Sequence, residues 1–280
     1  MDYTVILIDE PAAKVRRITL NRPDKRNALN HDLRGQVIHA LEAADADPEI
    51  HTMIVRGAGK CFSSGYELGS GNEGQELPWY TAGGDGHWPR HVVGGWMRIW
   101  DLAKPVIAQV HGYCLAGGSE LATGCDLVYA AEDAKIGYPA VRFGVPDMQF
   151  HAWLVGMRMA MEMMVTGDSI SGIEAARLGW ATRAYPEAEL GERVLEMAVR
   201  IAALPPDLVQ LNKRTVHRQM EIMGMRTALR AGSELCALGT HQKSFFEFMR
   251  KLRGEGLNEA LQQRDEPFGD YRVAERDGEA

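Results

Sequence analysis

Hydrophobic positions along the first half of the chain switch between two periods. Short β-branched runs at residues 3–8 and 15–20 predict strands. Between 31 and 44, Leu33, Val37, Ile38, Leu41 and Ala44 share one helical face. Residues 52–55 then read as a buried strand running into GAGKCFSSG, 106–110 runs likewise into HGYCLAGG, and 127–130 follows as another strand. Strands alternating with helices imply βαβ connections and largely parallel pairing, with ligands at the carboxyl ends of the strands. Both glycine-rich segments fall at such ends.

Between them, residues 69–90 keep no sustained period and carry Trp79, Tyr80 and Trp88 in exposed-looking positions. Long irregular loops of this kind often serve as lids. From His151 onward the chain is rich in Met, Ala and Leu at helical spacing, broken at Gly167, Gly179 and Pro205-Pro206. The double proline divides the chain into a core over 1–204 and a helical region over 205–280, because proline cannot continue a helix.

Composition narrows the class. The 280 residues are 45% hydrophobic and 25% charged, which excludes disordered and collagen-like chains. Thirty glycines exceed the usual share of about 7%, so backbone must often turn sharply or approach something closely. The net charge of −7 gives no cationic footprint for nucleic acid. Cys61, Cys114, Cys125 and Cys236 have no CxxC spacing and read as reduced, partly buried thiols of a cytoplasmic protein. Acidic residues at the amino end and the lack of a membrane-length apolar run predict a soluble intracellular protein.

Three motif tests fail. A dinucleotide fingerprint needs a glycine at position 62, where Phe62 stands, and a Walker A loop needs one at 54, where Ile54 stands. A GxSxG elbow around Ser119 needs a glycine at 121, where Leu121 stands. What remains is a strand, the pair Gly117-Gly118, and a helix start with Glu120 in its first turn. Bare amides at a helix start can hold developing negative charge on an oxygen. Glu120 reads two ways, as a charge complementing the helix dipole or as a general acid/base. His87 and His91 have zinc-like spacing but no third ligand nearby, so no metal is expected.

NRPDKRNALN, GAGKCFSSGYEL, KPVIAQVHGYCLAGGSELATGCDLVYAAEDAKIGYP, TGDSISGIEAARLGW and EGLNEALQQRDEPF, in that order, resemble the crotonase (enoyl-CoA hydratase/isomerase) superfamily across most of the chain. The resemblance implies an α/β fold, a spiral of ββα turns with a C-terminal helical region, assembled as homotrimers or hexamers. It implies an acyl-CoA thioester as ligand, with coenzyme A part of the substrate and no tightly bound cofactor. It places an oxyanion hole at the amides of Tyr66 and Gly117, flanked by Ser64, Gly65 and Gly118, and makes Glu120 a catalytic residue. Lys25, Arg26 and Arg264 fall where the family meets the CoA phosphates, and Ala28 and Leu29 where the adenine lies.

One position departs from the pattern. The second hydratase glutamate aligns with Ala140. Asp147, three residues after Gly144, is the expected replacement, as a second acid/base or as the cap of the helix that follows; His151 is a weaker candidate or a buried structural residue. Tyr138, Arg142 and Phe143, with Trp79, Tyr80, Trp88, Trp96 and Trp100, are candidates for an acyl-group wall or for ordinary packing. The expected activity is hydration or isomerisation of an unsaturated acyl-CoA. Hydrolysis of a thioester or carbon–carbon bond, and acyl-CoA binding without catalysis, stand as alternatives.

Overall fold

The computed structural model describes residues 2–86, 90, 92–144 and 151–269. A six-stranded sheet in the order β1-β2-β3-β4-β6-β9 lies at its centre, built from Ile6–Ala12, Val15–Leu20, Thr52–Gly57, Val106–Val110, Leu127–Ala131 and Arg183–Tyr185. β1 and β2 form an antiparallel hairpin, and every later pair in this sheet is parallel. Buried apolar runs such as Met53-Ile54-Val55 and Val106-Ile107-Ala108 suit parallel strands covered on both faces. The first strand begins at Ile6 rather than at residue 3 and extends to Ala12. Its register is set by pairing with β2, which local periodicity does not report.

A second sheet, ordered β5-β7-β8, comprises Tyr113–Leu115, Lys135–Gly137 and Ile170–Ser171. From β4 onward, successive turns feed strands to both layers, β4 then β5, β6 then β7, and β8 then β9. The segment after β3 extends this second layer, since Ser63 bridges Cys114 and Tyr66 bridges Leu29.

Helix α1 (His31–Ala46) is capped by the Asn30 side chain, which accepts from the Leu33 amide at 2.9 Å. Its predicted apolar face is buried in full. A π-helical turn at Val92–Trp96 leads into α2 (Met97–Asp101), and α3 (Gly117–Gly124) follows β5. α4 (His151–Thr166) is interrupted at Gly156, which has non-helical torsions. α5 (Gly172–Leu178) begins with a Ser171–Glu174 capping box, and α6 (Glu187–Ala202) packs against the main sheet.

Beyond the double proline lie α7 (Pro206–Ile222), α8 (Met225–Gly239), α9 (Lys243–Glu255) and α10 (Leu257–Asp265). Buried charges dock them on the rest of the chain. Lys213 Nζ donates to Asp126 Oδ2 at 2.8 Å, His217 Nε2 lies 3.0 Å from Asp126 Oδ1, and the His217 ring stacks on Trp100. At the other end, Arg142 reaches Asp265 at 3.1 Å. Among the described residues, no helix is long and apolar enough to cross a membrane.

The loop after residue 69 has two short 3₁₀ turns, at Ser70–Asn72 and Gly84–Gly86. Trp79 is exposed there, whereas Tyr80 is buried against the core, contrary to its exposed-looking sequence context. The polar, glycine-rich neighbours of Tyr80 hid this burial, which arises from the fold of the loop over α1 and α2. Trp88, His87, His91 and Asp147 lie outside the described residues.

Candidate active site

The turn from β5 into α3 is strained. Ala116 adopts φ 46° and ψ −120°, a conformation ordinarily left to glycine. It delivers Gly117 as the first residue of α3, where an amide has no intrahelical carbonyl to meet. A Cβ at Gly117 would lie 2.7–2.8 Å from Cε2, Cζ and Cε1 of Tyr66, so bare backbone is required beneath that ring.

The FSSG turn stands against this one. Gly65 has φ +99°, and a Cβ there would sit 2.8 Å from the Leu115 carbonyl oxygen and 3.4 Å from the Gly117 amide nitrogen. The Leu29 amide donates to the Gly65 carbonyl at 2.8 Å, and the Leu29 carbonyl accepts from the Glu67 amide at 3.2 Å. The Tyr66 amide between them is therefore directed to the opposite edge, as in any extended segment. Buried Asn27 fixes the placement by donating to the carbonyls of Ala58 and Cys61, both at 2.9 Å.

Glu120 lies one turn into α3 and is fully buried. Three side chains from separate elements donate to its carboxylate. Tyr138 Oη reaches Oε1 at 2.6 Å, Trp96 Nε1 reaches Oε2 at 3.2 Å, and Tyr66 Oη also donates to Oε2. Trp96 Nε1 lies 3.1 Å from Tyr66 Oη as well, closing the cluster. Burial, then the Glu120 charge and hydrogen bond, raise the Tyr66 phenol well above its ordinary pKa. A buried cation, Arg34 of α1, interacts electrostatically with Tyr80, Tyr66 and Glu120. Its Nη2 lies 2.7 Å from His31 Nδ1, and burial followed by the Arg34 charge lowers the pKa of that histidine.

A buried carboxylate thus faces a strained turn with a bare helix-leading amide. The enoyl-CoA hydratase/isomerase family model matches residues 10–270. The chain belongs to that family. A probable enoyl-CoA hydratase of Rhizobium meliloti is 34% identical over 262 residues, covering 91% of this chain and 98% of the relative. Among solved structures, an enoyl-CoA hydratase/isomerase from Xanthobacter autotrophicus Py2 is 35% identical with a TM-score of 0.86, covering 95% and 99% of the two chains. An enoyl-CoA hydratase from Mycobacterium smegmatis is 31% identical with a TM-score of 0.87, covering 96% and 97%. The expected crotonase-type spiral with a C-terminal helical region is the fold of these enoyl-CoA hydratase neighbours.

Within this enoyl-CoA hydratase/isomerase frame, Tyr66, Gly117, Gly118 and Glu120 come together, along with Gly65 and Tyr138. Ser64 donates its amide to the Arg26 carbonyl at 2.9 Å, tying the loop over residues 23–29 to the FSSG turn. Lys25 is exposed, the Arg26 guanidinium lies 5.5 Å from the Tyr113 ring centroid, and Ala28 and Leu29 are buried beneath them. Phe143 shares a buried cluster with Tyr138 and Ala140, against which Tyr66 and Ala116 pack, and the Arg264 guanidinium lies 5.8 Å from the Phe143 ring centroid. Phe143 stacks on Phe248 with centroids 4.4 Å apart, and Arg264 donates through Nε and Nη2 to Asp265 at 2.6 and 2.8 Å. Ala140 is buried in a 3₁₀ turn, Pro139–Phe143, and His151 sits buried edge-on to Tyr138.

Sequence reasoning placed Trp96 only in a possible aromatic wall and did not select Arg34 at all. No local signal identifies either. Trp96 is aimed by a π-helical turn, a feature often found at functional sites, and Arg34 occupies the predicted apolar stretch of α1.

Proposed function

We propose that this chain hydrates or isomerises an unsaturated acyl-CoA thioester. The observation that carries this reading is the pairing of the Gly117 turn with a buried, triply held Glu120 carboxylate one helical turn away. Amides of Tyr66 and Gly117 would accept the thioester oxygen, and stabilising its developing charge makes an enolate accessible. Glu120 is then the group that moves a proton, with Asp147 a proposed second acid/base in place of the carboxylate absent at Ala140. Lys25, Arg26 and Arg264 are the proposed phosphate contacts, and Ala28 and Leu29 the proposed adenine surface. Coenzyme A enters only as part of the substrate.

Residues 1–204 form the proposed catalytic core and 205–280 the proposed trimerisation region. Leu208, Leu211, Val216, Ile222, Leu235 and Leu238 support the latter, since all are exposed on α7 and α8 and a partner copy would cover them. The buried thiols of Cys61, Cys114, Cys125 and Cys236 support a reducing, cytoplasmic setting.

The test is incubation with a series of trans-2-enoyl-CoA thioesters while recording conjugated-enoyl absorbance, products and free thiol. Formation of a 3-hydroxyacyl-CoA or a shifted double bond, without thiol release, supports the reading. Release of free CoA as the main product overturns it.

A further inference from the structure

The family position of the second glutamate holds Ala140, so an addition of water needs another group to carry the α-proton, a role for which Tyr66 is the alternative to Asp147. The Tyr66 side chain lies where such a group would act. Its hydroxyl-bearing ring edge covers Gly117, within 2.7–2.8 Å of where a Cβ would stand. Gly117 supplies one of the proposed amides for the thioester oxygen, and the α-carbon is one bond from that carbonyl. Tyr66 Oη donates to Glu120 Oε2 and lies 3.1 Å from Trp96 Nε1. Tyr138 also donates to Glu120, but to the other oxygen, Oε1, and it is fully buried, whereas Tyr66 is a half-buried residue.

We propose that the Tyr66 phenol is the catalytic proton carrier to the α-carbon, relayed by Glu120; this rests on the enoyl-CoA reading above. In hydration, water forms the new C–O bond at the β-carbon and its proton passes to Glu120. The Tyr66 proton passes to the α-carbon, and Glu120 returns its proton to the tyrosinate. One H and one OH are added, and nothing is oxidised or reduced. The coupling has a physical cause. The Glu120 charge is among the influences that hold the phenol proton tightly, and it vanishes as the carboxylate takes the proton of water.

Tyr66→Phe tests this, because it keeps the backbone amide and the ring over Gly117 while removing only the hydroxyl. Steady-state hydration of a reactive enoyl-CoA is measured together with exchange of solvent deuterium into the α-position of a saturated acyl-CoA. The expected result is a kcat lower by about 100-fold or more, KM within about threefold of wild type, and α-exchange lost in parallel. As a second probe, a ring-fluorinated tyrosine at position 66, whose phenol is more acidic, is expected to move the alkaline limb of the kcat profile to lower pH. That probe decides the matter if Tyr66→Phe does not fold. Near-wild-type kcat in Tyr66→Phe, unaltered α-exchange, or an unmoved alkaline limb overturns the proposal. If Glu120→Gln abolishes hydration while Tyr66→Phe does not, the enoyl-CoA reading stands and this inference alone falls. Wild-type protein inert toward every enoyl-CoA overturns both.

Discussion

Removing the Glu120 carboxylate in two ways separates its chemistry from its structural role. In Glu120→Gln the amide oxygen can still accept from Trp96 and Tyr66, and the amide nitrogen can donate to Tyr138 once that hydroxyl rotates to accept. All three partners stay satisfied, although bonds to a charged group become weaker neutral ones. Glu120→Ala instead removes the acceptor of two buried phenols, Tyr66 and Tyr138, while Trp96 Nε1 keeps Tyr66 Oη at 3.1 Å. Each phenol costs about 1–3 kcal/mol, less whatever a water entering the vacated space recovers, so a net loss of about 2–5 kcal/mol is expected. With an unfolding entropy of about 2.1 cal/mol/K per residue, that lowers the melting temperature by about 3–8 °C, against about 3 °C or less for Glu120→Gln. Arg34 loses the same favourable charge in both variants, so the difference between them isolates the donors. Turnover of an enoyl-CoA is expected to fall by about 10²–10⁴-fold in both, because neither can take a proton. Thermal unfolding with enoyl-thioester absorbance reads both effects. Equal melting temperatures would refute the energetic account of the donor cluster, and Glu120→Gln retaining more than about a tenth of activity would refute the acid/base role.

Three further outcomes follow from the same geometry. Gly117→Ala places a methyl group within 2.7–2.8 Å of the Tyr66 ring and displaces it from Glu120; kcat is expected to drop at least about tenfold, and an unchanged value would show that the ring is not fixed there. His31 binds a proton less readily folded than unfolded, owing first to burial and then to Arg34. Its contribution to stability is therefore present above the unfolded value of about 6.5 and is lost as pH falls toward the lowered folded value. Melting curves across that range should be flatter for His31→Gln than for wild type, and identical slopes would count against the contribution. Arg142, only 3% exposed, pairs with Asp265, 2% exposed, so Arg142→Ala leaves a buried carboxylate with Arg264 as the cation still beside it. A loss of about 3 kcal/mol and faster proteolytic removal of the α10 segment are expected, and unchanged cleavage would show that α10 is held by other contacts.

Much of the architecture was legible in the chain because its signals are local. The face of α1 followed from helical spacing, and the burial of β3 and β4 from continuous apolar runs. The glycine-rich turns after those strands announced close backbone approach, and the structure shows what approaches: the Tyr66 ring over Gly117, and the FSSG turn against LAGG. Glu120 was visible as a carboxylate at a helix start. Its surroundings were not, since Tyr66, Trp96 and Tyr138 lie 54, 24 and 18 residues away in sequence and arrive from three different elements.

The sequence by itself determined the order of elements, the glycine-dependent turns, and the residue types available for proton transfer. Spacing along a helix or strand fixes which side chains share a face, and φ requirements fix where glycine must stand. Only the tertiary structure decided that two phenols and an indole close on one carboxylate, that Tyr80 turns inward, and that a buried arginine stands near that carboxylate. Those outcomes depend on strand order and on how successive spiral turns stack, and a hydrogen bond between residues brought together in that way leaves no periodic trace in the chain.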